Sequence, residues 1–245
     1  MNFYAKFISL VNTMMTNFAE SINQTFIVND RYKLFLDGFG NTIVLSIFAL
    51  LMGMMLGIII ALIKVTAKRH HSKFLNFMAT ICDIYTTVIR GTPAVLQLLI
   101  LYFIVFAHSR NGVLVAIITF GINSSAYVSE VIRAGIISID KGQIEAGRSL
   151  GLPYGVTMRK IVLPQAFKNI LPALGNEFIT LIKETAIVGY VGVVDLTKAA
   201  DLTRSLTFDV FPALVAVALV YLAIVILLTQ ALKLLEKRLG KSDRD

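Results

Sequence analysis

Apolar runs of membrane length alternate with short basic stretches along this chain. Residues 41–63 form the first, about 23 residues without a charge, enough to cross a bilayer as one helix. Residues 113–137 and 211–232 form two more, and 170–191 is a further run whose polar residues crowd onto one face. Residues 74–107 are apolar too, but about 34 residues of helix would extend roughly 50 Å, too far for one straight crossing. This run breaks at Arg90-Gly91-Thr92-Pro93, and Asp83, Thr87, Arg90, Ala94 and Gln97 recur along it at helical spacing. One long, kinked membrane helix is expected, because so short a break leaves no room for a solvated loop. The pattern predicts an all-α membrane protein with five transmembrane helices.

The remaining segments are polar or mixed. In residues 1–38, Phe3, Phe7, Leu10, Val11, Met14 and Phe18 fall on one helical face, with Asn12, Thr13 and Asn17 opposite, which suits a helix lying in the membrane interface. Gly53 and Gly57 in the first span allow close approach of another helix. Residues 138–169 are the one long polar insert. Gln143 to Leu150 reads as a short helix stopped by Gly151-Leu152-Pro153, since glycine accepts left-handed geometry and proline cannot continue a helix. A second short helix runs from about Tyr154 to Val162, where Pro164 is expected to interrupt it. The domain layout is thus an arm over 1–38, a membrane domain over 39–235 containing this insert, and a tail over 236–245.

Charge sets the orientation. Fourteen Lys and Arg fall beside one membrane face (Lys64–Lys73, the 138–169 insert and the C-terminal tail) and six beside the other. The positive-inside rule places the insert and the C-terminus in the cytoplasm and the N-terminus outside, in a cell membrane. Lys64 is counted here as part of a basic juxtamembrane loop. The formal charge of +8 on 245 residues therefore reports membrane orientation and not nucleic acid. The composition agrees: 56% hydrophobic, 16% charged, mean hydropathy +0.76. Cys82 is the single cysteine, so there is no disulfide framework, and the N-terminus lacks the pattern of a cleaved signal peptide. His70 and His71 are adjacent and point to different helix faces, so no metal site is expected.

Asp83, Arg90, Glu130, Arg133, Glu177, Lys183 and Glu184 lie within the expected spans. At roughly 2.5–3.5 kcal/mol each, exposing them to lipid would cost about 20 kcal/mol, more than the stability of most domains. They must face one another, a partner or water. Two arrangements meet that demand: a set of inter-helix ion pairs, or a polar cavity that recognises a small zwitterion, helped by a helix end freed at the mid-span break. Glu130, Thr180, Lys183 and Glu184 are the cavity candidates. Asp83 and Arg90 suit either the path or a structural strut.

The insert carries a recognisable spacing: Glu145-Ala146-Gly147, three residues, Gly151, nine residues, then Ile161-Val162-Leu163-Pro164. It resembles the EAA loop of ABC-importer permeases, departing from the family's Glu-Ala-Ala at Gly147. Ala126 to Gly135 with Gly142-Gln143, Arg90 to Pro93 with Leu96-Gln97, Leu181 to Thr185, and Gly38 with Asn41-Thr42 resemble the permeases of polar amino-acid importers, in the histidine/glutamine/arginine/cystine branch. The resemblance implies a type I permease with a cytoplasmic coupling loop, a second permease subunit, two cytoplasmic ABC ATPase subunits and an extracytoplasmic amino-acid-binding protein. It implies no cofactor in this chain, ATP and Mg being bound by the partner ATPase. It further implies that Gln143, Glu145, Ala146, Gly147, Arg148, Gly151, Ile161, Leu163 and Pro164 couple the permease to that ATPase. Glu145 and Arg148 would make polar contacts, Ala146 and Gly147 would allow close approach, and Gly151 would set the elbow. Switching such a pore from 99% inward to 99% outward takes about 5.5 kcal/mol of differential docking through this surface.

Two other functions fit the sequence less well. A channel would favour unbroken pore-lining repeats, whereas the stripes here mix both signs. A membrane-embedded enzyme is not supported by any His-Glu-x-x-His or Gly-x-Ser-x-Gly, and the chain has no Gly-rich loop ending in Lys-Ser/Thr with which to hydrolyse ATP.

Overall fold

The computed structural model describes residues 2–68 and 72–241. The expectations for Arg69, His70, His71 and Arg244 lie outside these residues. All regular structure among them is helical. Three helices are long and apolar enough to cross a membrane: α2 (Tyr32–Ala67), α5 (Gly112–Ile137) and α10 (Phe211–Lys241). An N-terminal helix, α1 (Asn2–Ile22), precedes them. Its Phe7, Leu10, Val11 and Met14 are exposed, and Phe18 packs edge-on to Phe211 at the start of α10 with ring centroids 6.5 Å apart.

The run expected as one kinked helix is two helices, α3 (Lys73–Gly91) and α4 (Ala94–Ile100), the latter extended by a π-helical turn to Val105. They meet at 105°. Pro93 has no N–H to offer Ile89, and Thr92 before it is held extended (φ −118°, ψ 144°), so the helix stops instead of bending. Gln97 repairs the break. Its amide Nε2 donates to the carbonyls of Ile89 (2.8 Å) and Thr92 (3.1 Å), and its Oε1 accepts from Asn123 on α5 (2.9 Å). The residue expected to continue the polar stripe is therefore turned back on the break.

α2 and α5 form the central pair. A β-carbon at Gly53 would lie 2.9 Å from Ser124, and one at Gly57 would lie 2.7 Å from Val128, so the Gly-xxx-Gly of the first span is where the two helices touch. Leu45, Ala49, Ala116, Phe120 and Leu181 fill the core at one end, and Ala61, Val128, Ile132, Ala166 and Ile170 at the other. The outward sides of α2 and α10 expose Phe48, Met55, Leu62, Leu219 and Leu227, as hydrocarbon contact requires.

The insert begins with α6 (Lys141–Ser149), followed by α7 (Tyr154–Thr157). From α7 the chain runs through a π-helical turn, Met158–Val162, directly into α8 (Leu163–Glu184). Pro164 does not interrupt a helix there, contrary to expectation. It sits in the first turn of α8, where a missing N–H leaves no bond unmade. The helix expected at 170–191 thus starts earlier, ends at Glu184 and gives way to a 3-10 stretch, Thr185–Val191. α8 is not among the helices long and apolar enough to cross a membrane on composition alone.

The last connection holds α9 (Leu196–Thr207). Asp195 caps it, accepting from the backbone N–H of Lys198 (2.9 Å) and Thr197 (3.1 Å), and the Tyr221 hydroxyl donates to it from α10 (3.3 Å). Its carboxyl is fully buried, and burial raises its pKa. Asn41 on α2 donates to the Val194 carbonyl (2.7 Å), and Gly38 leaves room for the Asp195 carbonyl.

Candidate functional site

Charge gathers where α2, α3 and α5 meet. Lys64, 6% exposed, stands between two carboxylates, 2.8 Å from Asp83 Oδ1 and 2.7 Å from Glu130 Oε1. It also donates to the Thr86 hydroxyl at 3.0 Å. The other oxygen of Glu130 accepts from Arg133 Nε (2.9 Å) and Nη2 (2.7 Å) one turn on. A chain Asp83–Lys64–Glu130–Arg133 results, alternating in sign. A cavity of about 410 Å³ opens on one side of it, lined by Lys68, Asn76, Thr80 and Arg133. Another of about 490 Å³ lies on the other side, lined by Thr86, Thr87, Arg90, Gly91 and Tyr127. Arg90 lies over the Tyr127 ring, its guanidinium carbon 5.2 Å from the centroid.

The structure thus brings Asp83, Arg90 and Glu130 around one polar space. It does not bring all the candidates there. Thr180 and Lys183 are exposed on α8, and Glu184 is half-buried at that helix's end. Glu177 lies within reach of Ser124 on α5, 3.1 Å away.

Lys64 lies in a helix of the bundle and not in the juxtamembrane loop expected from the sequence. It follows an uncharged run and resembles a juxtamembrane lysine, but α2 continues to Ala67 and holds Lys64 inside the bundle. A signal did exist. Gly53, Gly57, Ala61 and Lys64 recur at spacings of four, four and three, which sets Lys64 on the packed face.

At the end of the bundle where α5 stops, α6 stands out with Gln143, Glu145, Ala146 and Arg148 exposed. Asp140 caps it by accepting from Gly142 N at 2.6 Å. The far end closes as a Schellman turn: Leu152 N donates to Gly147 O (3.1 Å), Gly151 N donates to Arg148 O (3.0 Å), and Gly151 adopts φ +79°. Asn169 donates to the Ser138 hydroxyl (3.0 Å) and ties the two ends of the insert together. Gly147 faces inward, not outward. It is buried against Thr157 and Ile161, so its small size serves packing within the insert rather than approach of an outside surface. Ile161 is half-buried there, whereas Leu163 and Pro164 are exposed where α8 begins.

The model for binding-protein-dependent transport system inner membrane components matches residues 53–241, well over half of the chain. The chain belongs to this family. It is therefore the permease subunit of an ABC importer, and ATP hydrolysis falls to a separate subunit of such a transporter. The permease is 42% identical over 211 residues to the arginine transport system permease protein ArtQ of Bacillus subtilis, covering 85% of this chain and 93% of that one. It is 40% identical over 201 residues to a putative glutamine transport system permease protein, GlnP, of Rickettsia bellii, covering 81% and 89%. It also superposes on a chain from the crystal structure of an amino acid ABC transporter with histidines, at TM-score 0.79 and 40% identity over 87% of this chain and 98% of that one.

Proposed function

We propose that this permease moves polar amino acids into the cell by alternating access, driven by cytoplasmic ATPase subunits that engage the α6–α7 elbow. The observation that carries the reading is the separation of two surfaces on one bundle. An exposed, glycine-hinged elbow sits at its end, and a cluster of ionised side chains sits among its helices. The relatives named for arginine and glutamine support amino acids as the solute class but divide over side-chain charge.

In this reading the crossings number five. They are α2, the broken α3–α4 pair, α5, α8 and α10, with α8 shielded by packing on α5 and α10. The N-terminus lies outside and the elbow and C-terminus lie in the cytoplasm of a multi-pass inner-membrane protein. The permease works with a second permease subunit, two ATPase subunits and an extracytoplasmic amino-acid-binding protein. Gln143, Glu145, Ala146, Arg148, Leu163 and Pro164 form the docking face, with Gly147, Gly151 and Ile161 holding its shape. Asp83, Arg90 and Glu130 line the solute path, with Thr180, Lys183 and Glu184 contributed from α8.

Purification from membranes with identification of the co-purifying subunits tests the assembly. ATP-driven uptake into proteoliposomes, surveyed across amino acids, tests the solute class. Uptake that proceeds without ATP and without partners would establish a channel instead.

A further inference from the structure

We propose that Lys64 sets the charge class of the transported solute: its ammonium fills the cation position between Asp83 and Glu130, so the path accepts amino acids with neutral side chains and disfavours cationic ones. The inference rests on the amino-acid importer reading above and deepens it.

Asp83 and Glu130 are the two carboxylates bordering the 490 Å³ space beside Arg90 and Tyr127. In a path without Lys64 they would form an acidic pair, well suited to an ammonium or guanidinium at the end of a solute's side chain. Here one oxygen of each is taken by Lys64, and the second oxygen of Glu130 is taken by Arg133. Lys64 is held from three directions, by two carboxylates and a hydroxyl. The cluster is neutral as it stands, two cations against two anions. Arg90 borders the same space as a further cation. A zwitterion with a neutral side chain leaves that balance unchanged. A cationic side chain adds a positive charge beside Lys64 and Arg90, where like charges repel. Arg90 supports the same direction. It lies over the Tyr127 ring at the border of the space and places a further positive charge there.

Binding to the permease must be read apart from the specificity of the binding protein. The experiment measures equilibrium binding of radiolabelled L-glutamine and L-arginine to the purified permease–ATPase complex without the binding protein. For the unaltered complex we expect glutamine to bind at least tenfold tighter than arginine. Lys64→Met should move the ratio at least tenfold toward arginine. Adding Asp83→Asn to Lys64→Met, which restores neutrality without restoring the lysine, should move it back. Where Lys64→Met fails to assemble, Asp83→Asn alone should shift the ratio the opposite way, toward glutamine. Binding of both amino acids with a ratio indifferent to these changes overturns the role of Lys64 and leaves the importer reading intact. Binding of neither amino acid by the unaltered complex overturns both.

Discussion

A β-carbon at Gly147 would stand 2.7 Å from Cγ2 of Thr157, closer than packed atoms approach. Glycine at the third position of the Glu145-Ala146-Gly147 motif is thus matched to a threonine on α7. The pair holds α6 against α7, which leads through the π-helical turn into α8. Gly147→Ala should overpack this contact at about 1–3 kcal/mol. The expected result is a complex that still inserts and hydrolyses ATP but shows several-fold less uptake per ATP. Thr157→Ala in the same chain removes both close atoms and should recover most of the coupling. Uptake and ATPase rates measured in parallel in proteoliposomes check this.

Gly151 presents a different case, because a side chain there would meet no atom within 4 Å. The constraint lies in its backbone, φ +79°, which closes the Schellman turn. An L-residue pays roughly 1–2 kcal/mol in this region, and a β-branched one more. Gly151→Val should therefore insert normally yet uncouple hydrolysis from transport, whereas Gly151→Asn should keep most of the transport. Unimpaired uptake by the valine variant would remove Gly151 from the coupling role.

Much of this architecture is legible in the sequence, for identifiable reasons. Gly151-Leu152-Pro153 announces its turn because only a few residues tolerate that backbone, and Gly53-xxx-Gly57 announces a close crossing because a side chain there would keep the helices apart. Pro164 misleads because proline has two opposite meanings. It breaks a helix from within and favours the first turn of the next, and only the register of the π-helical turn decides between them. The 105° break at Thr92-Pro93 is larger than a kink because Gln97 rewards full separation by satisfying the freed carbonyls. Such a long-range rescue leaves no local pattern. Lys64 is ambiguous in sequence because a lysine after a charge-free run has the local pattern of a span boundary, and only its register with Gly53, Gly57 and Ala61 sets it on the packed face.

Gln97 yields its own prediction. Its side chain serves the carbonyls of Ile89 and Thr92 and the amide of Asn123 at once. Gln97→Leu keeps the volume but strands these partners, each unsatisfied buried group costing about 1–3 kcal/mol. A fall in the melting temperature of the purified complex is expected. Gln97→Glu should be intermediate, since it can still accept from Asn123 but no longer donates to the carbonyls. Thermal unfolding in matched detergent distinguishes the three proteins.

Asp195 gives the pH dependence. Among the described residues its buried carboxyl has no cation in contact, and burial raises its pKa above the usual 3.8 against the opposing backbone N–H groups of Lys198, Thr197 and Asp195 and the Thr197 hydroxyl. A carboxyl with a raised folded-state pKa binds its proton more tightly in the folded chain. Its stabilising contribution is therefore greatest below the unfolded pKa and is lost as pH rises through the folded one. Asp195→Asn removes this titration and retains an acceptor for the α9 cap, so its stability should be flatter with pH than that of the unaltered protein across pH 4 to 7. Asp195→Ala loses the cap and the Tyr221 contact together and should be less stable at every pH, by about 1–2 kcal/mol from the cap alone. Unfolding midpoints recorded at several pH values check both. Identical pH profiles for the aspartate and asparagine forms would show that this carboxyl does not titrate with folding.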